Sequence, residues 1–114
     1  MLEIDSRTKT ITLTRGDTAY IAFNPIIRQS GENRNLVEGD KAYFRLQASE
    51  VTEIECTVDV EENKLELLIE PEDTMFITPG TYRYEVELVS ANDEHFTIIA
   101  DRVFNIGKEI EEHD

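Results

Sequence analysis

The side chains with which this chain could do chemistry are few in kind and scattered. It has two histidines, His95 and His113, one cysteine, Cys56, and 25 acidic residues among 114. Covalent or acid–base catalysis needs a nucleophile and a base brought together by a turn or strand end. Neither histidine has such a partner in a recognisable spacing, and no phosphate-loop or nucleophile-elbow glycine pattern occurs. His95 stands at the start of an expected edge strand and reads as an exposed strand residue. Cys56 shares a strand face with Ile54 and Val58, so it reads as a buried, inert thiol. Zinc spacing is absent, as is the acidic calcium loop. Carboxylates that folding could gather on a cation are Glu70, Glu72 and Asp73 with Glu38 and Asp40, but Asp73 already has a capping task. The expectation is no catalytic residue, no metal ligand and no cofactor. Glu53, Glu55, Glu66, Glu85 and Glu87 fall where alternation faces solvent.

Arg15-Gly16-Asp17 spells the integrin tripeptide, but it lies between two apolar-alternating segments. It reads as a tight turn in which Gly16 takes positive φ and Asp17 bonds the following backbone. The balance of 25 acidic against 11 basic residues gives a net charge of −14. That argues against nucleic acid or an anionic membrane as a partner, since phosphate binding needs clustered Lys and Arg. No apolar run is long enough to span a bilayer, and the polar start, MLEIDSRTKT, does not read as a signal peptide. A single cysteine forms no internal disulfide, which suits a reducing compartment.

These residues must be positioned by strands. About seven segments alternate with turn signals between them, near 9–14, 18–24, 42–48, 53–60, 64–70, 81–90 and 95–105, with a further short strand at 2–4. The run LELLIEPEDTMFITPGTYRYEVELV, residues 65–89, is the most specific. Pro71 ends a strand, and Asp73 and Thr74 cap one helical turn over 73–77. Pro79-Gly80 suits a type II turn with Gly80 at positive φ. Tyr82 then falls where an immunoglobulin-like sandwich places the corner tyrosine that bonds back to the backbone. Tyr84 falls where an antibody domain would carry its second cysteine. The expected fold is all-β: an immunoglobulin-like sandwich of about seven antiparallel strands with one short helical turn at the E–F corner. Asp73, Thr74, Pro79, Gly80 and Tyr82 are its structural corner. The domain spans 1–107, with an acidic tail over 108–114.

Two segments stand out as contact candidates. The connection over 25–41 is longer than most loops in compact domains. Its tip, 29–33, reads as exposed, with Ile26, Ile27, Leu36 and Val37 tacking its base onto the core. The expected contact residues are Gln29, Ser30, Glu32, Asn33, Arg34, Asn35 and Leu36, together with Lys108, Glu109 and Ile110 of the tail, which reads as a linking arm. A rival reading is a soluble carbohydrate- or protein-binding module, but the chain has no Trp and its aromatics fall mostly inward.

The segments LTRGDTAYI (13–21), VEGDKAYFRL (37–46), IEPEDT (69–74), GTYRYEVEL (80–88) and the terminal FNI (104–106) resemble small β-sandwich structural proteins of tailed phages and prophages of Gram-positive bacteria. They are similar also to the N-terminal domain of phage upper baseplate proteins. The resemblance runs from about Thr10 to Ile106 and carries no activity or cofactor with it. It implies a non-enzymatic virion structural or accessory subunit of the tail, baseplate or head. Its partners would be other virion proteins or copies of itself. It would reside in the virion, or in the bacterial cytoplasm before assembly.

Overall fold

Alternating inward side chains build the sheet, as the sequence pattern requires. In the computed structural model, which describes residues 1–109, the strands are β1 (Leu2–Asp5), β2 (Thr10–Thr14), β3 (Ala19–Phe23), β4 (Lys41–Gln47), β5 (Val51–Asp59), β6 (Lys64–Ile69), β7 (Gly80–Val89) and β8 (His95–Gly107). One helical turn, α1 (Pro71–Thr74), precedes β7. The strands follow the order β1-β2-β8-β7-β4-β5-β6-β3. β5 joins two layers, because residues 51–56 pair with β4 while Thr57–Asp59 pair with β6. The β3–β6 and β4–β7–β8 adjacencies are those of the B–E and C–F–G pairs of an immunoglobulin sandwich.

The expectation of an all-antiparallel sandwich needs one correction. β2 runs parallel to the C-terminal half of β8, with Ile11 opposite Phe104 and Leu13 opposite Ile106. The physical reason is the β1–β2 hairpin, which brings the chain onto β8 in its own direction. The short strand expected at the N-terminus is β1, which makes eight strands among the described residues.

The inward residues form one core. Phe44, Tyr84 and Phe104 are its largest members, with ring centroids 5.6 to 6.1 Å apart. The buried Tyr84 hydroxyl donates to the Lys9 carbonyl at 2.6 Å, so its polar tip is satisfied. Burial pushes the Tyr84 phenol up to about 12, against the pull of nearby Arg102. Cys56 is buried too, and desolvation pushes its thiol up to about 12.

The corner differs from expectation in three details. The helical turn occupies Pro71–Thr74 rather than 73–77, because Pro71 is pre-organised for its first position. Glu70 is the N-cap, and Asp73 reaches back to accept the Glu70 N–H at 2.8 Å. Thr74 is buried and accepts the Gly16 N–H at 2.8 Å, which ties the corner to the Arg15-Gly16-Asp17 turn. Gly80 is not at positive φ; it opens β7 opposite Ile106, and Pro79 precedes it. The Tyr82 hydroxyl donates to the Thr78 carbonyl, as the corner tyrosine should.

Gly16 takes φ +83° as expected. Asp17, however, meets the Met1 amine and not the following backbone. Asn63 takes φ +55° at the tip of the β5–β6 hairpin, a conformation asparagine tolerates.

Candidate functional site

The long 25–41 connection is folded onto the body by its own backbone. Ile27 donates to Glu32 at 2.8 Å, and Gly31, at φ +73°, donates to Ile27 at 2.7 Å. Arg34 closes this small loop by donating to Pro25 at 2.9 Å, and Arg28 donates to Thr97 of β8 at 2.8 Å. Gln29, Ser30, Glu32, Asn33 and Asn35 are exposed on it. Two of the expected contact residues take part in holding the loop to the body. Leu36 is 4% exposed, and its N–H donates to the Asn63 side chain at 2.7 Å. Arg34 pairs with the buried Asp40 at 3.2 Å and lies over the Phe96 ring. Asp40 also accepts the Val37 N–H at 3.0 Å, so it anchors the loop. The same geometry leaves Val37 exposed, as it leaves Ile26, while Leu36 alone of the expected tacking residues is fully buried.

In the tail, Lys108 and Glu109 are exposed, and Glu109 accepts from Arg15 Nε at 2.9 Å. That pair draws the start of the tail onto the Arg15 turn. Ile110 and the rest of 110–114 lie outside the described residues.

On the outer face of the β4–β7–β8 layer, Arg45 reaches Glu53, Glu85 and Glu87 at 2.7 to 3.0 Å. His95 Nδ1 lies 3.0 Å from Glu87. His95 opens a strand paired with β7, and its imidazole is exposed as expected. The Glu87 hydrogen bond, foremost, raises the His95 pKa above its ordinary value near 6.5. Partial burial pushes the Glu87 carboxyl up, but hydrogen bonds from His95 and Arg45 outweigh it and hold the group below 4.5. A raised histidine stabilises the fold below 6.5 and loses that contribution as pH rises through its folded value. A lowered carboxylate does so above 4.5 and loses it as pH falls through its folded value. The pair therefore works in full between those two values. In an NMR titration, His95 is expected to titrate above 6.5, and Glu87→Gln should bring it back toward that value. A midpoint at or below 6.5 in the native chain would show that the pair does not form.

Two exposed apolar features accompany these charges. Tyr20 of β3, 77% exposed, faces its cross-strand partner Leu68 on the outer side of the β3–β6 pair. Phe76, 87% exposed, follows the helical turn with Met75. Among the described residues, no group of three or more His, Cys, Asp or Glu side chains is gathered as a metal site requires. No described helix is long and apolar enough to cross a membrane.

A feature that sequence reasoning missed is a cleft of about 380 Å³ between β3, the N-terminal half of β8 and the 24–28 segment. Its floor is Ile21, Tyr84, Ile98 and Ile99, all buried, and its rim carries Lys9, Arg28 and Arg102. These cations are far apart in sequence, so no local pattern could have grouped them. The one signal was the Ile98-Ile99 pair, which breaks the alternation of β8.

No protein-family model matches the chain. A search of curated protein sequences finds no match either. Among solved structures it is similar to the N-terminal domain of phage TP901-1 ORF48. The two share 19% identity and a TM-score of 0.53, over 87% of this chain and 83% of that one. The chain's all-β fold is thus similar to that of a phage protein domain.

Proposed function

We propose that the chain is a non-enzymatic structural or accessory subunit of a phage or prophage particle, acting through protein–protein contacts. The observation that carries this reading is the likeness in fold, over most of both chains, to a domain of a phage protein. The resemblance in turn and corner segments points the same way. The exposed residues 29–33 and Asn35, presented by a loop that hydrogen bonds hold in place, suit docking with little ordering cost. Its partners would be other virion proteins or further copies of the chain. A net charge of −14 would keep the free subunit soluble and apart from nucleic acid before assembly.

The contact role of the loop is tested by competition. A chain carrying Gln29→Ala, Glu32→Ala, Asn33→Ala and Asn35→Ala is co-expressed with the native chain during particle production. All four side chains are exposed, so the fold should be retained. The variant should be depleted from purified particles by at least about fivefold, the effect of losing ~1 kcal/mol of contact. Equal incorporation would remove the loop from the interface.

A further inference from the structure

Building on the assembly reading, we infer that the cleft between β3 and β8 receives an extended acidic segment of a partner protein, which adds as a strand beside β3. β3 is the last strand in the sheet order and, among the described residues, pairs with β6 alone. In an immunoglobulin sandwich the equivalent sheet reads A-B-E-D, with strand A beside strand B. Here β3 stands at B and β6 at E, and the strand that would take the A position, β2, is paired with β8 instead. The slot beside β3 is therefore open. β3 itself reads AYIAF, with none of the charges or prolines that usually blunt a free edge.

The opposite wall is also an unpaired edge. β8 pairs with β2 only from Phe104 onward, so residues 98–102 have β7 on one side and the cleft on the other. That stretch bulges. Tyr84 and Val86 are two residues apart, but their partners Arg102 and Ile99 are three apart; Val86 and Glu87 are adjacent, but Ile99 and Thr97 are not. Two extra residues thus lie on β8, and Asp101 among them takes φ +55°. Bulges of this kind re-aim side chains next to binding sites. Here they turn both Ile98 and Ile99 into the floor and bring Arg102 to the rim.

Charge selects the occupant. Among the described residues no carboxylate lines the cleft, while three of the chain's 11 cations do. Lys9, Arg28 and Arg102 are exposed and take part in none of the ion pairs found among the described residues. Lys9 is held at the rim at φ +62° by its N–H to the Asp5 carbonyl and by the Tyr84 hydroxyl on its own carbonyl. An added strand would pair its backbone with β3, set alternate apolar side chains on the isoleucine floor and turn its carboxylates toward the three cations.

The test uses the purified full chain and a short labelled peptide alternating glutamate and valine, with a lysine–valine peptide as control. The acidic peptide should bind, weaken as salt rises, and shift NMR amide signals of residues 21–23 and 98–102. Lys9→Gln, Arg28→Gln and Arg102→Gln together should weaken it at least about tenfold. These side chains are exposed, so the variant should keep its fold; the three single variants provide the same comparison if it does not. Absent binding, equal binding of the basic peptide, shifts elsewhere, or an unaffected variant would each overturn the inference. Self-association that shifts these same amides would assign the cleft to a second copy instead. Particle incorporation is scored separately, so failure here leaves the assembly reading standing or falling on its own test.

Discussion

Replacing Phe104 with alanine is expected to destabilise the domain by about 3–5 kcal/mol, the cost of a large cavity in a closed core. Phe104 is fully buried, with its ring 5.9 Å from Phe44 and 6.1 Å from Tyr84. Its strand is paired on both sides at that point, to Ile11 of β2 and to Tyr82 of β7. Backbone held by two ladders cannot collapse into the void, which places the cost high in the range. Against a total stability of ~5–15 kcal/mol, the loss approaches unfolding. Urea denaturation of the native and variant chains measures it directly. Phe104→Leu, which leaves a smaller cavity, should lose less than half as much. A loss under ~1 kcal/mol for the alanine variant would mean that the parallel β2–β8 closure over this ring is wrong.

The second large effect is expected at Asp40. Its carboxylate is 1% exposed, pairs with Arg34 and accepts the Val37 N–H. Asp40→Ala would leave the Arg34 guanidinium and that N–H without their partner inside the loop. Removing one member of a buried pair costs about 3–5 kcal/mol. Arg34 keeps 22% of its side chain exposed, so water screens part of the loss and about 2–4 kcal/mol is the expected value. Asp40→Asn retains an acceptor for Val37 but not the charge, and should fall between native and alanine. Hydrogen exchange should show the effect concentrated in residues 34–40. If Asp40→Ala is neutral, the loop is not anchored there, and the preordered docking tip loses its physical basis.

The strands were legible where one face is buried and one wet. Leu65, Leu67 and Ile69 (with Leu68 the one apolar interruption), and Tyr84, Val86 and Leu88, alternate with charge and are buried. The corner was legible through Pro71 and Tyr82, whose roles are local. Its helical turn was displaced because Asp73 works as the third helical residue bonding back, a geometry equally compatible with its sequence position. The parallel pairing of β2 with β8 was not legible, since it joins residues 93 positions apart, such as Ile11 and Phe104, without a local signature. In sequence the loop looks like a surface segment because its anchors are non-local: Asn63 for Leu36, and Thr97 for Arg28. The cationic rim of Lys9, Arg28 and Arg102 emerges only when the β1–β2 turn, the segment after β3 and β8 come together. Composition pointed the other way, because an excess of 14 negative charges hides a local cluster of three cations.

The central claim is that this chain is a component of a phage or prophage particle. The most direct measurement is quantitative mass spectrometry across a density gradient of particles from a lysate in which its gene is expressed natively. The account predicts that the chain sediments with intact particles at a fixed ratio to the major capsid protein, through repeated purification. If it stays wholly in the soluble fraction while intact particles form, it is not a virion subunit, and the claim is contradicted.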